Sequence, residues 1–322
     1  MFLIFFTYTC FIIFLIGVAG RIYRQKKLPL HLRWELYPVK NEPGAKAQYG
    51  GSYMEEPNWW EKERTSSLGN EIKYMIPEIL FLRGLWEKNR QLWCLSFPFH
   101  FGLYLILATL LLLLLSALAM IRGIRISPNY GGLSLLLYYL TIFSGFLGLT
   151  LGAIGAVGLL IRRWRDPELR AYSNIADYFN LLILLGFLVV AFLSGLFYDP
   201  TFDRARAYVH ALLTLRTMPL SSAHDESSFL GSLTIFWGSI ILAYIPFTHM
   251  AHMFMKFFSY HEIRWEHTPN LKGGKIEAAV QTNLKFKPTW SAPHIKADGQ
   301  KTWNDLAGLL PKEKNGKDNL SG

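Results

Sequence analysis

The chain has 322 residues and a net charge of +10, with only 17% charged residues against 51% hydrophobic ones. Soluble domains carry about 25% charge, so this balance excludes an ordinary soluble domain. The basic residues flank apolar runs and do not form a stripe on a polar domain, which argues against nucleic acid and for a lipid surface. Cys10 and Cys94 are the only cysteines; they are too few for an iron–sulfur cluster, a zinc motif or a disulfide framework, and read as inert thiols.

In chain order, Phe2 to Gly20 is apolar and is followed at once by Arg21, Arg24, Lys26 and Lys27. No basic residue precedes the run and no small-x-small cleavage site closes it, so it is read as a retained first span. Residues 21–97 are a polar insert. Its first half carries Pro29, Pro38, Pro43, Pro57 and Gly50-Gly51 and is expected to be loop. From about Leu68 to Trp93 the apolar spacing turns helical, which predicts an amphipathic helix on the membrane or against a partner, kinked or interrupted at Pro77.

Four more apolar runs follow: Pro98 to Ile121, Gly132 to Ile161, Tyr178 to Phe197 and Leu230 to Met255. Each is long enough, at about 1.5 Å per residue, to cross a hydrocarbon core of about 30 Å. Gly145, Gly148, Gly152, Gly155 and Gly158 punctuate the third span and allow close approach of a helix or a flat cofactor. Asp199 to Phe229 reads as polar, and everything after Lys256 as an extended tail with one short helix near Trp303 to Leu310.

The expected fold is therefore all-α, an integral membrane bundle of five transmembrane helices. Lys and Arg number thirteen in residues 21–97, four in 162–172 and eleven in 256–322, against five in 121–131 and 199–229 together. The positive-inside rule then puts the N-terminus outside. The domain reading is residues 1–20 as the first helix, 21–97 as a cytoplasmic insert with its amphipathic helix, 98–256 as a four-helix membrane domain and 257–322 as a cytoplasmic tail. The chain is a multi-pass protein of the cytoplasmic (inner) membrane on this reading.

Histidines at membrane depth are costly and invite a functional role, and imidazole is an ordinary axial ligand of haem iron. His100 lies a few residues into the second span. His249 and His252 lie near the end of the fifth, in Ile245-Pro246-Phe247-Thr248-His249-Met250-Ala251-His252. With alternating spans, both ends fall within roughly 5–8 Å of one boundary, so the two helices could clamp one haem b. His249 is the rival ligand, or a donor to a propionate or a quinone carbonyl. His210 and His224 lie in the segment on the other side. His31, His261, His267 and His294 read as cytoplasmic surface or loop residues.

The strings LRWELYPV, YGGSYMEEPNWW, MIPEILFLRGLWEKNRQLW, SFPFHFGLYL and YIPFTHMAHMF, with FFSYHEIRWEH after them, resemble a family of membrane cytochromes b. The chain resembles the gamma subunit of respiratory nitrate reductase, and more narrowly the cytochrome b subunit of the sulfite-reduction-associated membrane complex (DsrM type), with heterodisulfide reductase membrane subunits as relatives. The resemblance spans about residues 1–270. It implies His100 and His252 as ligands of the cytoplasm-proximal haem iron. It places the ligands of a second haem at Leu110 and Thr234, which cannot serve; a second haem is absent or uses other ligands such as His210 or His224.

The implied function is electron transfer in anaerobic respiration linked to sulfur metabolism. Menaquinol is the substrate, electrons pass through haem b, and a cytoplasmic iron–sulfur subunit of heterodisulfide reductase type is the partner, within a complex that has further membrane and extracytoplasmic redox subunits. Docking is expected on the insert, at Trp59-Trp60, and on the tail. The alternatives are a haem-free membrane anchor and a transporter using His249 and His252 as a proton relay.

Overall fold

The computed structural model describes residues 1–27, 57–58, 61, 67–215, 229–258, 271–293 and 295–308. The chain forms two compact units, one from Met1–Gly20 and Tyr74–Ala251, the other from Arg21–Lys73 and His252–Gly322.

The first unit is built on α1 (Phe2–Lys27) as far as Gly20, α4 (Arg90–Ile121), α5 (Leu133–Arg165), α7 (Ile175–Tyr198) and α9 (Phe229–Tyr244), joined by the shorter α2 (Leu68–Leu80) from Tyr74 on, α3 (Arg83–Lys88), α6 (Pro167–Ala171) and α8 (Asp203–Thr214). Among the described residues there is no strand, and five helical stretches are long and apolar enough to cross a membrane. The predicted all-α five-helix membrane bundle is what the chain forms.

Neighbouring spans alternate in direction. Along the α4–α5 seam Leu95 meets Gly158, Phe99 meets Gly155, Gly102 meets Gly152, and Thr109 Oγ1 lies 2.8 Å from Ser144 Oγ. One series rises as the other falls, so the pair is antiparallel. The same holds for α7 and α9, where Asn180 pairs with Tyr244 and Gly186 with Trp237. In contrast, α1 and α9 are parallel: Phe6 stacks on Phe236 at 4.6 Å, Thr7 bonds Ser239 at 2.9 Å, and Gly17 abuts Pro246. The first and fifth of five alternating spans must run the same way. One end of the bundle thus holds Met1, the α4–α5 loop and α8; the opposite end holds the α5–α7 connection and the turns after α9.

Without water, polar side chains in the spans turn to internal partners, the buried Ser116 Oγ being left without one among the described residues. Thr141 Oγ1 donates to Leu137 O at 2.6 Å, Ser144 Oγ to Leu140 O at 2.7 Å and Ser239 Oγ to Ile235 O at 2.8 Å. The glycines of α5 serve helix packing. A Cβ on Gly102 would sit 2.3 Å from Gly152 N, and one on Gly155 only 2.4 Å from Phe99 N, so backbone meets backbone along this seam. α1 is tied to the bundle near its start: Tyr208 Oη donates to Leu3 O at 3.0 Å and Tyr8 Oη to Leu212 O, and Ile4 is buried against Tyr208 and Ala211.

The structure revises several expected boundaries. The second span begins at Arg90 rather than Pro98, because Asn89 Oδ1 accepts Leu92 N at 3.0 Å and starts the helix two turns earlier; Pro98 sits inside it. The amphipathic segment does not break at Pro77, which lies within α2; it breaks at Leu82, whose φ is 51°. There Glu78 accepts Gly84 N at 2.8 Å and Trp93 Nε1 donates to Phe81 O at 2.8 Å, so the corner is hydrogen-bonded rather than frayed. The fourth span begins at Ile175, set by a capping box between Asn174 and Asp177. The segment after Asp199, expected to be merely polar, contains α8, whose start Asp199 caps by accepting Arg204 N and Ala205 N. Burial pushes the Asp199 carboxyl up from its ordinary value, against the lowering by those two N–H groups.

The largest revision concerns the fifth span. It is not one helix to Met255. α9 ends at Tyr244, two 3₁₀ turns follow at Ile245–Phe247 and His249–Ala251, and α10 (His252–Phe258) begins anew. Pro246 has no N–H to continue the ladder, Thr248 is extended at φ −118°, and its hydroxyl closes the turns by donating to Ile245 O and accepting Met250 N.

In the second unit, α11 (Lys275–Leu284) and α12 (Trp303–Ala307) are folded, so the tail is less extended than composition suggests. Trp303 N donates to Phe286 O at 3.0 Å and its ring lies 6.1 Å from that of Trp290. α12 ends at Gly308 in the left-handed region, with a Thr302–Asp305 capping box at its start.

Candidate functional site

His100 is half-buried on α4, and its Nδ1 lies 2.8 Å from Ser96 O, one turn back. A carbonyl only accepts, so Nδ1 carries the proton and Nε2 holds the lone pair. That arrangement is the one a metal-ligating histidine uses, with its second nitrogen donating to backbone. Tyr104, one turn further along α4, donates its hydroxyl to Ile79 O at 2.8 Å and holds α2 along this side.

His249 is in the same unit. Its neighbour Met250 packs on the cluster of Phe99, Ala156, Leu184 and Ile241, and Phe99 adjoins His100. Phe99 and Met250, the sequence neighbours of the two histidines, thus meet in one apolar cluster. The His249 ring lies 3.4 Å from Asn180 Nδ2 and 4.0 Å from Asp177 Oδ1 through its Nδ1. Asn180 is buried within α7, and its Oδ1 accepts Tyr244 Oη at 3.0 Å. Asp177 also faces Arg163 Nη1 at 3.4 Å, and that nitrogen donates to Ser173 Oγ at 2.8 Å. A polar row from Tyr244 to Arg163 thus runs past His249 to the end of the bundle.

This row was missed in the sequence. Its signal was Asn180, an amide inside an otherwise apolar span, where every polar side chain calls for a partner. Tyr244→Phe is expected to cost about 1 kcal/mol. Asn180→Leu should cost about 1–3 kcal/mol, because it also strands the Tyr244 hydroxyl. Thermal unfolding of the purified variants in detergent checks both, and equal stability of Asn180→Leu and wild type would refute the row.

His252 opens α10 in the second unit. His210 is half-buried on α8, at the opposite end of the bundle from His100. His224, like His31, His261, His267, His294 and the pair Trp59-Trp60, lies outside the described residues. Leu110 is 55% exposed on the outer face of α4, and Thr234 returns its hydroxyl to Leu230 O at 2.8 Å. Neither offers a ligand. Cys10 is buried and Cys94 exposed, both as free thiols.

A haem needs two axial donors at one depth and an apolar surround. His100, with its Nδ1 proton held on Ser96 O, and the apolar cluster beside it meet the part of that requirement lying in the first unit. No curated protein matches the chain significantly. A family model does: that of the nitrate reductase gamma subunit matches residues 84–267, more than half of the chain and the whole stretch holding His100, His249 and His252. The chain belongs to the nitrate reductase gamma subunit family, haem b membrane subunits of respiratory, quinol-linked complexes.

Proposed function

We propose that this chain carries electrons between menaquinol in the membrane and a cytoplasmic iron–sulfur subunit of heterodisulfide reductase type, as a DsrM-like subunit of a sulfur-linked respiratory complex. The observation that carries the reading is the family match across all three inner histidines, together with the His100 Nδ1–Ser96 O bond. His100 is the first axial ligand. His252 is the second on the strength of the sequence resemblance, with His249 as its rival. Bound there, haem b supplies one-electron chemistry.

The chain's own residues do the rest. Ser96 O holds the His100 tautomer, the apolar cluster around Phe99 excludes water, and Asn180 and Asp177 bracket His249. The concentration of Lys and Arg in residues 21–97, 162–172 and 256–322 supports an N-terminus outside and a cytoplasmic, basic docking side in the inner membrane. With two cysteines, the chain needs a partner to supply any iron–sulfur centre.

A second reading, proton relay through His249, is favoured by the row Tyr244, Asn180, His249, Asp177 and Arg163. The two readings separate in one experiment: a dithionite-reduced minus oxidised spectrum of the purified chain, with haem quantified per polypeptide. One haem b supports the inner site alone. Two would require further ligands and direct replacement to His210 and His224. None would overturn the electron-transfer reading and leave the relay and the haem-free anchor.

A further inference from the structure

At the Met1 end of the bundle a cavity of about 460 Å³ lies between the α4–α5 loop and α8. Its wall is apolar at Met120, Ile124 and Ile126 and charged at Arg125, Asp203 and Arg206. Arg206 is only 2% exposed. Its Nη1 donates to Asp203 Oδ1 at 2.6 Å and to Thr201 O at 2.8 Å, while Nη2 reaches Tyr138 O only at 3.4 Å. Its buried Nε–H has no partner among the described residues.

An orphaned N–H beside a charged group is costly, about 1–3 kcal/mol. The Nε and Nη2 edge is the fork with which a guanidinium takes two oxygens of one anion. Asp203 neutralises one of the two cations in the wall, so the other leaves the cavity positive. Arg125 is not on a loose loop. Ser134 Oγ donates to Arg125 O at 2.8 Å, and accepts Ser127 N at 3.0 Å, which pins the loop on both sides of it. Gly123, at φ 83°, turns the chain out of α4 with open space where a side chain would stand.

We propose that this cavity binds a phosphate group, with Arg206 as the buried anchor, Arg125 as the second cation and Met120, Ile124 and Ile126 against the organic part. The cavity is far larger than a bare phosphate ion, and it opens where α4 leaves the span, the level at which phospholipid phosphates lie. A lipid phosphodiester and a soluble phosphate share the recognised chemistry.

The test is native mass spectrometry of the delipidated full chain in detergent, titrated with phosphatidylglycerol, diacylglycerol and inorganic phosphate. Phosphatidylglycerol adducts should form on wild type and weaken about 10-fold or more in Arg125→Gln, a loss typical of a charge-assisted contact. Arg165→Gln, a charge loss at the opposite end, should leave them unchanged. Arg125 is exposed, so its variant probes the site without disturbing the core; Arg206→Gln should act in the same direction. Displacement of the lipid by millimolar phosphate would assign the site to the phosphate group from either source; persistence of an Arg125-dependent lipid adduct would assign it to the lipid. Equal binding of diacylglycerol, or wild-type binding by Arg125→Gln, would overturn the proposal.

Discussion

His100→Ala should abolish the b-type difference spectrum and leave the amount of chain in the membrane unchanged. The Nδ1–H bond of the side chain to Ser96 O lies within its own helix. Its loss costs α4 about 1 kcal/mol at most. The seam that holds α4 in place lies on another face, at Phe99, Gly102 and Thr109. Insertion depends on the apolar length of Arg90–Ile121, which the substitution does not shorten. Haem content and fold therefore separate cleanly at this residue. Pyridine haemochrome content against immunoblot signal in isolated membranes is the readout, and wild-type haem content in the variant would sink the ligand assignment. His249→Ala and His252→Ala, read in the same way, decide between the two candidates for the second ligand: only the true one should match the His100→Ala loss.

The largest expected effect on stability is at Gly102. Any Cβ there lands 2.3 Å from Gly152 N and 2.7 Å from Gly148 O, both backbone atoms that no rotamer change can move. Gly102→Val must push α4 away from α5 over the length of the seam, breaking the 2.8 Å contact of Thr109 with Ser144. Overpacking of this kind costs about 3 kcal/mol or more. Gly152→Ala is the control. Its Cβ would meet the methyl groups of Leu188 at 3.2 Å, and a leucine side chain can yield by a few tenths of an ångström. A marked drop in midpoint temperature for Gly102→Val, with a much smaller one for Gly152→Ala, is the expected result. Similar midpoints for the two would show that the helices do not meet backbone to backbone here.

The five spans were legible in the chain because hydrocarbon demands about twenty consecutive apolar residues, a constraint read directly from composition. The glycines of the third span were equally visible, but not their use. Open to helix or cofactor when read as a row, they are covered by Leu95, Phe99, Gly102 and Leu105 of α4, by Leu188 of α7 and by Phe202. The fifth span shows the limit of apolar run length. Leu230 to Met255 is one apolar run, yet Pro246 and the Thr248 hydroxyl divide it, and hydropathy does not register a missing N–H. α8 and the Leu82 corner escaped for a related reason: capping by Asp199 and by Glu78 is a matter of two or three directed bonds, not of periodicity.

The sequence by itself determined the membrane class, the number of spans and the residue types able to hold haem iron, since each follows from burying apolar length and from the cost of a polar group at depth. Only the tertiary structure decided that α1 packs beside α9, that Asn180 links Tyr244 to His249, and that a buried Arg206 borders a cavity with Arg125. Those relations join residues far apart in the chain, and they depend on packing distances and bond directions that no local pattern encodes.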